Sequence, residues 1–206
     1  IEVDLFYGTS VGAQIATYMA LGCDIRAVDN SFRQWQASGH DSLYRAWTHI
    51  ESGLREISEK FLPPDAHTTA SGRVMLNVTD FNRLYPKSVI ISEYSSRNAL
   101  IDTMLLSQFI PFWTNGNCFP FRMNGNLYFD GCLADSTPTF DDKTLRVLCT
   151  GSSQHEQITH NLIQPSISLT NTPGIFIPKS PLEQDVIQNA GYTMMERFCS
   201  TSSWLA

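Results

Sequence analysis

The sequence lacks the features that mark several common protein classes. None of its apolar runs approaches the roughly 20 residues that a membrane-spanning helix needs. It contains no run of lysine and arginine, and its net charge is −6, so nucleic acid is a poor electrostatic partner. Gly-rich phosphate loops are missing, and histidine, cysteine and aspartate do not occur at metal-ligand spacing. We therefore expect no membrane span, no nucleic-acid partner, no metal and no cofactor.

Cysteine is sparse, and an initiating methionine is missing. The 206 residues include 5 cysteines, an odd number, and no Cys-x-x-Cys pair. This pattern is typical of reduced thiols, so we expect a cytoplasmic protein. The chain opens on Ile1, and only a few residues precede its most informative motif. We expect one domain over residues 1–206, with an upstream segment missing from its N-terminus.

Strand-like and helical patterns alternate along a chain of ordinary globular composition, with 42% hydrophobic and 17% charged residues. This alternation predicts an α/β domain with a largely parallel sheet. A first strand signal ends at Phe6-Tyr7, and further strand signals lie at Arg73–Thr79, Ser88–Ser92, Leu127–Phe129 and Leu145–Cys149. The helix signals cover Ala13–Gly22, Ser31–Phe61 with a break at Gly39–Ser42, Ser96–Phe109 and Pro181–Phe198. Residues 151–178 show no clear period.

The stretch Gly8-Thr9-Ser10-Val11-Gly12 stands between a predicted strand and a predicted helix. Gly-x-Ser-x-Gly at such a junction is the nucleophile-elbow pattern, in which a tight turn exposes the serine hydroxyl. The two glycines would leave room for the neighbouring strand and helix. The helix N-terminus at Val11 would direct its backbone N–H groups toward an anionic intermediate of acyl transfer. We expect Ser10 to be a nucleophile.

A serine hydroxyl needs a base, and the sequence offers two kinds. Asp130 follows the apolar strand Leu127–Phe129 and precedes Gly131, so it lies at the carboxyl end of a strand. It could take the proton directly, giving a Ser–Asp dyad. His155 or His160 lies downstream of Asp130 and would complete a Ser–Asp–His triad in the order known from α/β-hydrolases. Both interpretations are open from the residues alone.

Several motifs together resemble the patatin-like phospholipase family, in particular its animal lipid-droplet lipase branch. Gly-x-Ser-x-Gly is followed by Asp130-Gly131, as in the family's Asp-Gly-Gly or Asp-Gly-Ala. The other matching segments are "FLPPDAHTTASGRVMLNVTDF" (Phe61–Phe81), "SVIISEYSSRNALIDTMLLSQFIPFW" (Ser88–Trp113), "YFDGCLADSTP" (Tyr128–Pro138) and "GYTMMERF" (Gly191–Phe198).

The resemblance implies a three-layer α/β/α sandwich with a mainly parallel sheet. It implies that Ser10 is the nucleophile and Asp130 the base, with Gly8, Gly12 and Gly131 shaping the turns. The implied activity is hydrolysis of acyl esters in glycerolipids or phospholipids, and some members also transfer acyl groups between lipids. The implied partners are a lipid substrate and, by peripheral contact, a lipid-droplet or membrane surface.

The sequence departs from the family in two places. The family's Gly-rich oxyanion loop precedes the serine and is not in this chain, so the Val11 N–H is the one donor that can be assigned. A catalytically silent module that binds lipid or protein is therefore an alternative. Cys132 replaces the usual Gly or Ala and would make the site sensitive to thiol reagents.

Aromatic residues cluster after the helix signal at Ser96–Phe109. Phe112, Trp113, Phe119 and Phe121 would either line an acyl-chain pocket, contact a lipid surface or fill the core.

Overall fold

The computed structural model describes residues 3–38, 49–82, 85–120, 122–136, 138–141, 143–148, 157–159, 162–164 and 181–201. The chain divides after Pro138 into two compact units, Glu2–Pro138 and Thr139–Ala206, the second of which also includes Ile1. The single-domain organisation expected over residues 1–206 stays a prediction. The break at Gly39–Ser42 lies outside the described residues.

The first unit is built on a four-stranded sheet, which confirms the predicted α/β class. Its strands are β1 (Phe6–Thr9), β2 (Val74–Asp80), β3 (Lys87–Ile91) and β4 (Tyr128–Asp130). β1 runs parallel to β2, whereas β3 and β4 run antiparallel to it. The described sheet is thus mixed rather than mainly parallel. The connection from β2 to β3 is too short for the crossover that a parallel neighbour needs.

The pairing register brings two strand ends together. β1 pairs with the first half of β2, and its last pair joins Thr9 to Asn77. β4 pairs with the second half of β2, and its last residue, Asp130, pairs with Val78. Because β3 occupies the opposite edge of β2, β1 and β4 lie on the same side of it. The carboxyl ends of β1 and β4 therefore meet at neighbouring positions of β2.

The described part of the first unit contains five α-helices: α1 (Val11–Ala20), α2 (Ile25–Ser38), α3 (Ile50–Phe61), α4 (Ala66–Ala70) and α5 (Arg97–Leu106). The structure confirms the predicted helices after the serine motif and after Ser96, while α2 begins earlier than the pattern predicts and α4 was not predicted. α3 ends just before Pro63, as expected from proline's missing N–H. Ser96 caps α5, because its hydroxyl accepts the Ala99 N–H at 3.1 Å.

The core of the first unit joins β2 to the helices. α1 contributes mainly small residues, including Ala13, which is fully buried and lets the helix approach the sheet closely. Val74 and Leu76 of β2 and Leu100 and Met104 of α5 have no exposed surface and belong to the same cluster. This packing holds the turn between β1 and α1 on a rigid base.

The second unit contains the described strands β5 (Arg146–Val147), β6 (Gln157–Thr159) and β7 (Leu162–Gln164), and helix α6 (Pro181–Thr201). The predicted final helix is confirmed and extends to Thr201. The sequence missed β6 and β7, because three residues are too few to show alternation. Met194 and Phe198 of α6 pack with Ile163 of β7.

Across the described ranges, the helices include none that is both long enough and apolar enough to cross a lipid bilayer.

Candidate active site

The turn between β1 and α1 is a single residue, Ser10, in an unusual backbone conformation. Its φ is +55° and its ψ is −131°, a region that residues with a side chain rarely adopt and that costs about 1–3 kcal/mol. Such strain persists only where the surroundings impose it. Here the end of a paired strand and the start of a helix packed against that strand fix both sides of the turn. The elbow predicted from the sequence is therefore present.

One of the two motif glycines is sterically required. A Cβ on Gly8 would lie 2.5 Å from the Ala13 Cα and from the Gly12 carbonyl oxygen, which are both backbone atoms. A Cβ on Gly12 would meet nothing within 4 Å. The expectation that glycine makes room for the packing of strand and helix thus holds for Gly8 and is wrong for Gly12.

The structure brings the two predicted site residues into contact. The Ser10 hydroxyl donates a hydrogen bond to Oδ2 of Asp130 at 2.7 Å, across 120 residues of sequence. The other carboxylate oxygen, Oδ1, accepts the Cys132 backbone N–H at 2.8 Å. Asp130 is only 4% exposed, so its carboxylate is held in a fixed orientation and largely shielded from water. This arrangement is the geometry that proton transfer from the serine hydroxyl requires.

Burial raises the pKa of Asp130 above its ordinary value of 3.8. Hydrogen bonds from Ser10 and Cys132 act in the opposite direction, since they stabilise the ionised carboxylate, but desolvation is the larger effect. A carboxylate with a raised pKa is a stronger base. Asp130 is therefore better suited to accept a proton than a solvated aspartate would be.

Two buried polar residues of β2 donate hydrogen bonds to the backbone of the base and of the residue that follows it. The Thr79 hydroxyl donates to the Asp130 carbonyl oxygen at 2.7 Å, and the Asn77 amide donates to the Gly131 carbonyl oxygen at 3.2 Å. A Cβ on Gly131 would lie 2.4 Å from the Asn77 carbonyl oxygen, so only glycine fits there. Neither role was predicted from the sequence. The available signal was the pair of polar residues inside an otherwise apolar strand.

The first turn of α1 lies beside the serine. The N–H groups in the first turn of a helix have no acceptor within the helix, and Val11 is the first residue of α1. The Val11 side chain is 46% exposed, so this end of the helix is open to solvent. A backbone donor and the positive end of the helix dipole are thus available next to the Ser10 hydroxyl.

The remaining predicted residues are divided between surface and undescribed parts of the chain. Phe112 and Phe119 are more than 60% exposed, so they do not fill the core. Trp113 is partly buried, and Cys132 is exposed. His155, His160 and Phe121 lie outside the described residues. Among the residues that the structure describes, no group of three or more His, Cys, Asp and Glu is arranged to hold a metal ion.

The fold and the site define an α/β protein in which a serine on a nucleophile elbow contacts a buried aspartate. A sequence model of the family described as patatin-like phospholipase matches residues 1–142, more than half of the chain. The chain therefore belongs to the patatin-like phospholipase family, as its motifs predicted, and the fold agrees with the three-layer α/β/α architecture of that family.

Curated relatives match the same region. "1-acylglycerol-3-phosphate O-acyltransferase Pnpla3" of Mus musculus is 25% identical over 170 residues, which cover 81% of this chain and 38% of the relative. "Patatin-like phospholipase domain-containing protein 2" of Rattus norvegicus is 29% identical over 141 residues, covering 66% of this chain and 28% of the relative. The chain thus spans well under half the length of these relatives. No solved structure matches it significantly.

Proposed function

We propose that the protein is a lipid acyl hydrolase that cleaves glycerolipid or phospholipid esters, with Ser10 as nucleophile and Asp130 as general base. The observation that carries this proposal is the 2.7 Å hydrogen bond from the Ser10 hydroxyl to the buried carboxylate. Membership of a family described as patatin-like phospholipase supports the substrate class. The proposed reaction needs no metal or cofactor, since the Ser10 oxygen is the nucleophile and the Asp130 carboxylate accepts and returns the proton.

In the first half-reaction, the Ser10 oxygen attacks the ester carbonyl carbon while its proton passes to Asp130. The carbonyl oxygen becomes an oxyanion, which the Val11 N–H and the α1 dipole stabilise. When the intermediate collapses, the bond to the leaving alcohol breaks, and Asp130 returns the proton to that alcohol. The product of this step is an acyl ester on Ser10.

In the second half-reaction, water attacks the acyl ester, and Asp130 accepts the proton of the water. Collapse releases the fatty acid and returns the proton to the Ser10 oxygen, which restores the starting state. The family resemblance implies that a Gly-rich loop supplies a second oxyanion donor. One such donor is typically worth about 10²–10³ in rate.

The same acyl-enzyme supports a second reaction. If the hydroxyl of a lipid replaces water, the acyl group is transferred rather than released. The name of the mouse relative, 1-acylglycerol-3-phosphate O-acyltransferase Pnpla3, favours this candidate. We propose acyl transfer as a side activity of the same Ser10 centre.

We propose that the enzyme is cytoplasmic and works in peripheral contact with a lipid-droplet or membrane surface. Phe112 and Phe119 present exposed aromatic rings in the segment that follows α5. That segment is tied to the site, because the Phe109 carbonyl oxygen accepts the Asp130 N–H at 3.0 Å. Exposed aromatic side chains partition favourably into the interface of a lipid layer.

Hydrolysis of an emulsified glycerolipid and of phospholipid vesicles by the full-length protein tests the proposal. Ser10→Ala should abolish fatty-acid release, whereas His155→Ala and His160→Ala should leave it near the wild-type rate. Loss of activity in either histidine variant, with the fold intact, would replace the dyad with a Ser–Asp–His triad. Retention of activity in Ser10→Ala would contradict the proposal.

A further inference from the structure

A buried serine just after α5 is bonded to the elbow. Ser107 has no exposed surface. Its hydroxyl oxygen accepts the Ser10 backbone N–H at 3.0 Å and donates to the Asn77 carbonyl oxygen at 2.7 Å. One hydroxyl therefore links the strained turn to the residue of β2 that pairs with Thr9, the last residue of β1.

The backbone around Ser107 also holds the base. The Ser107 carbonyl oxygen accepts the Gly131 N–H at 3.1 Å, and the Phe109 carbonyl oxygen accepts the Asp130 N–H at 3.0 Å. The segment that follows α5 thus contacts both the nucleophile and the base through hydrogen bonds. Because these groups are buried, each unmade bond would leave a polar atom without water to replace its partner.

We propose that Ser107 is a positioning residue of the dyad, whose hydroxyl holds Ser10 in the strained conformation that directs its Oγ at Asp130. This inference rests on the proposed function. At φ +55° the Ser10 peptide is oriented away from ordinary backbone geometry, and the Ser107 hydroxyl is the acceptor that fixes its N–H. Without that acceptor, the turn can relax toward negative φ and move the nucleophile away from the carboxylate.

The geometry gives Ser107 a signature that a purely structural residue lacks. The Ser10 hydrogen bond is one of the interactions that lower the pKa of Asp130 against the effect of burial. Loosening that bond raises the pKa further, so the acid limb of the pH–rate profile moves to higher pH. The Cys132 thiol is the titratable group that also contacts the carboxylate, and Ser107→Ala leaves it in place.

The test compares Ser107→Ala with Ser58→Ala in the full-length protein, using a soluble p-nitrophenyl ester. Ser58 is also fully buried, and its hydroxyl donates to the Leu54 carbonyl oxygen at 2.8 Å and contacts the Tyr18 hydroxyl. Ser58→Ala therefore matches the loss of a buried hydroxyl without touching the dyad.

Ser107→Ala should lower kcat by about 10- to 100-fold with KM nearly unchanged, since the reacting atoms are misplaced rather than the binding surface. It should also shift the acid limb upward and speed hydrogen exchange of the Ser10 amide. Ser107→Thr, which keeps the hydroxyl, should restore most of the activity. Ser58→Ala should lower the melting temperature and leave kcat and the acid limb in place.

The inference would be overturned if Ser107→Ala kept the wild-type kcat and acid limb. It would also be overturned if Ser58→Ala showed the losses expected of Ser107→Ala. If Ser107→Ala fails to fold, Ser107→Cys serves in its place, because sulfur fills the site but accepts hydrogen bonds weakly. A wild-type protein without esterase activity would refute the proposed function alone, and the Ser10 amide exchange would still test the Ser107 contact.

Discussion

Replacing Asp130 with asparagine separates the chemistry of the carboxylate from its packing. Asp130→Asn keeps the shape of the side chain, and its Oδ1 can still accept the Cys132 N–H. It removes the charge and the ability to accept a proton from Ser10. General-base catalysis contributes about 10²–10⁴ in rate, and we expect the esterase activity to fall by that factor.

The same substitution should not destabilise the protein at neutral pH. Because burial raises the pKa of Asp130 in the folded state, the folded state holds its proton to a higher pH than the unfolded chain does. The free energy of unfolding of the wild type therefore falls as pH rises from about 3.8 to the folded pKa, and levels off above it. Each unit of raised pKa corresponds to about 1.4 kcal/mol. Because asparagine does not ionise, the Asp130→Asn variant does not show this fall in the free energy of unfolding.

Denaturant unfolding between pH 4 and pH 8, with esterase assays on the same samples, measures both effects. The stability of Asp130→Asn relative to the wild type should rise with pH and reach a plateau, while its activity stays low. Asp102→Asn is the matched control: Asp102 pairs with Arg55 at 2.7 Å on a partly exposed surface, and its loss should cost at most about 1 kcal/mol and no activity. Substantial activity in Asp130→Asn, or a stability difference that falls with pH, would refute the reasoning.

Two further predictions concern the turns around the dyad. Gly8→Ala places a methyl group 2.5 Å from the Ala13 backbone, so it should lower the free energy of unfolding by about 1–3 kcal/mol and remove most of the activity. Gly12→Ala meets open space and should be tolerated or slightly stabilising. Equal effects of the two variants in thermal unfolding would contradict the steric account. Alkylation of the exposed Cys132 thiol should inhibit the wild type, because the residue contacts Asp130. The Cys132→Ala variant should stay active and resist the reagent. If Cys132→Ala were equally sensitive, the inhibition would be assigned to another cysteine.

The sequence predicted the elements of the site better than the network that supports them. Ser10 and Asp130 were readable because each follows a short apolar strand and precedes a turn, a local pattern. Their contact depends on β1 and β4 pairing with successive halves of β2 on the same side, which is a matter of long-range register. The family motifs, rather than any periodicity, connected the two residues in advance.

The supporting residues that were not predicted use their side chains to hydrogen-bond backbone groups near the dyad. Ser107 is the C-cap residue of α5 and lies inside the helix predicted over Ser96–Phe109, so nothing local distinguishes it from an ordinary helix end. Asn77 and Thr79 interrupt an apolar strand, which signals buried hydrogen bonds but not their partners. The mixed sheet was missed because alternating strands and helices suggest parallel pairing, whereas the short β2–β3 connection imposes an antiparallel pair.

Covalent labelling of the full-length protein with a fluorophosphonate, followed by peptide mapping, tests the dyad most directly. A reactive dyad predicts a single phosphonylated site at Ser10, formed far more slowly in Asp130→Asn and at the wild-type rate in Asp102→Asn. A folded wild-type protein that takes up no label at Ser10 would contradict the account, and the chain would then be a silent module on a patatin-like scaffold.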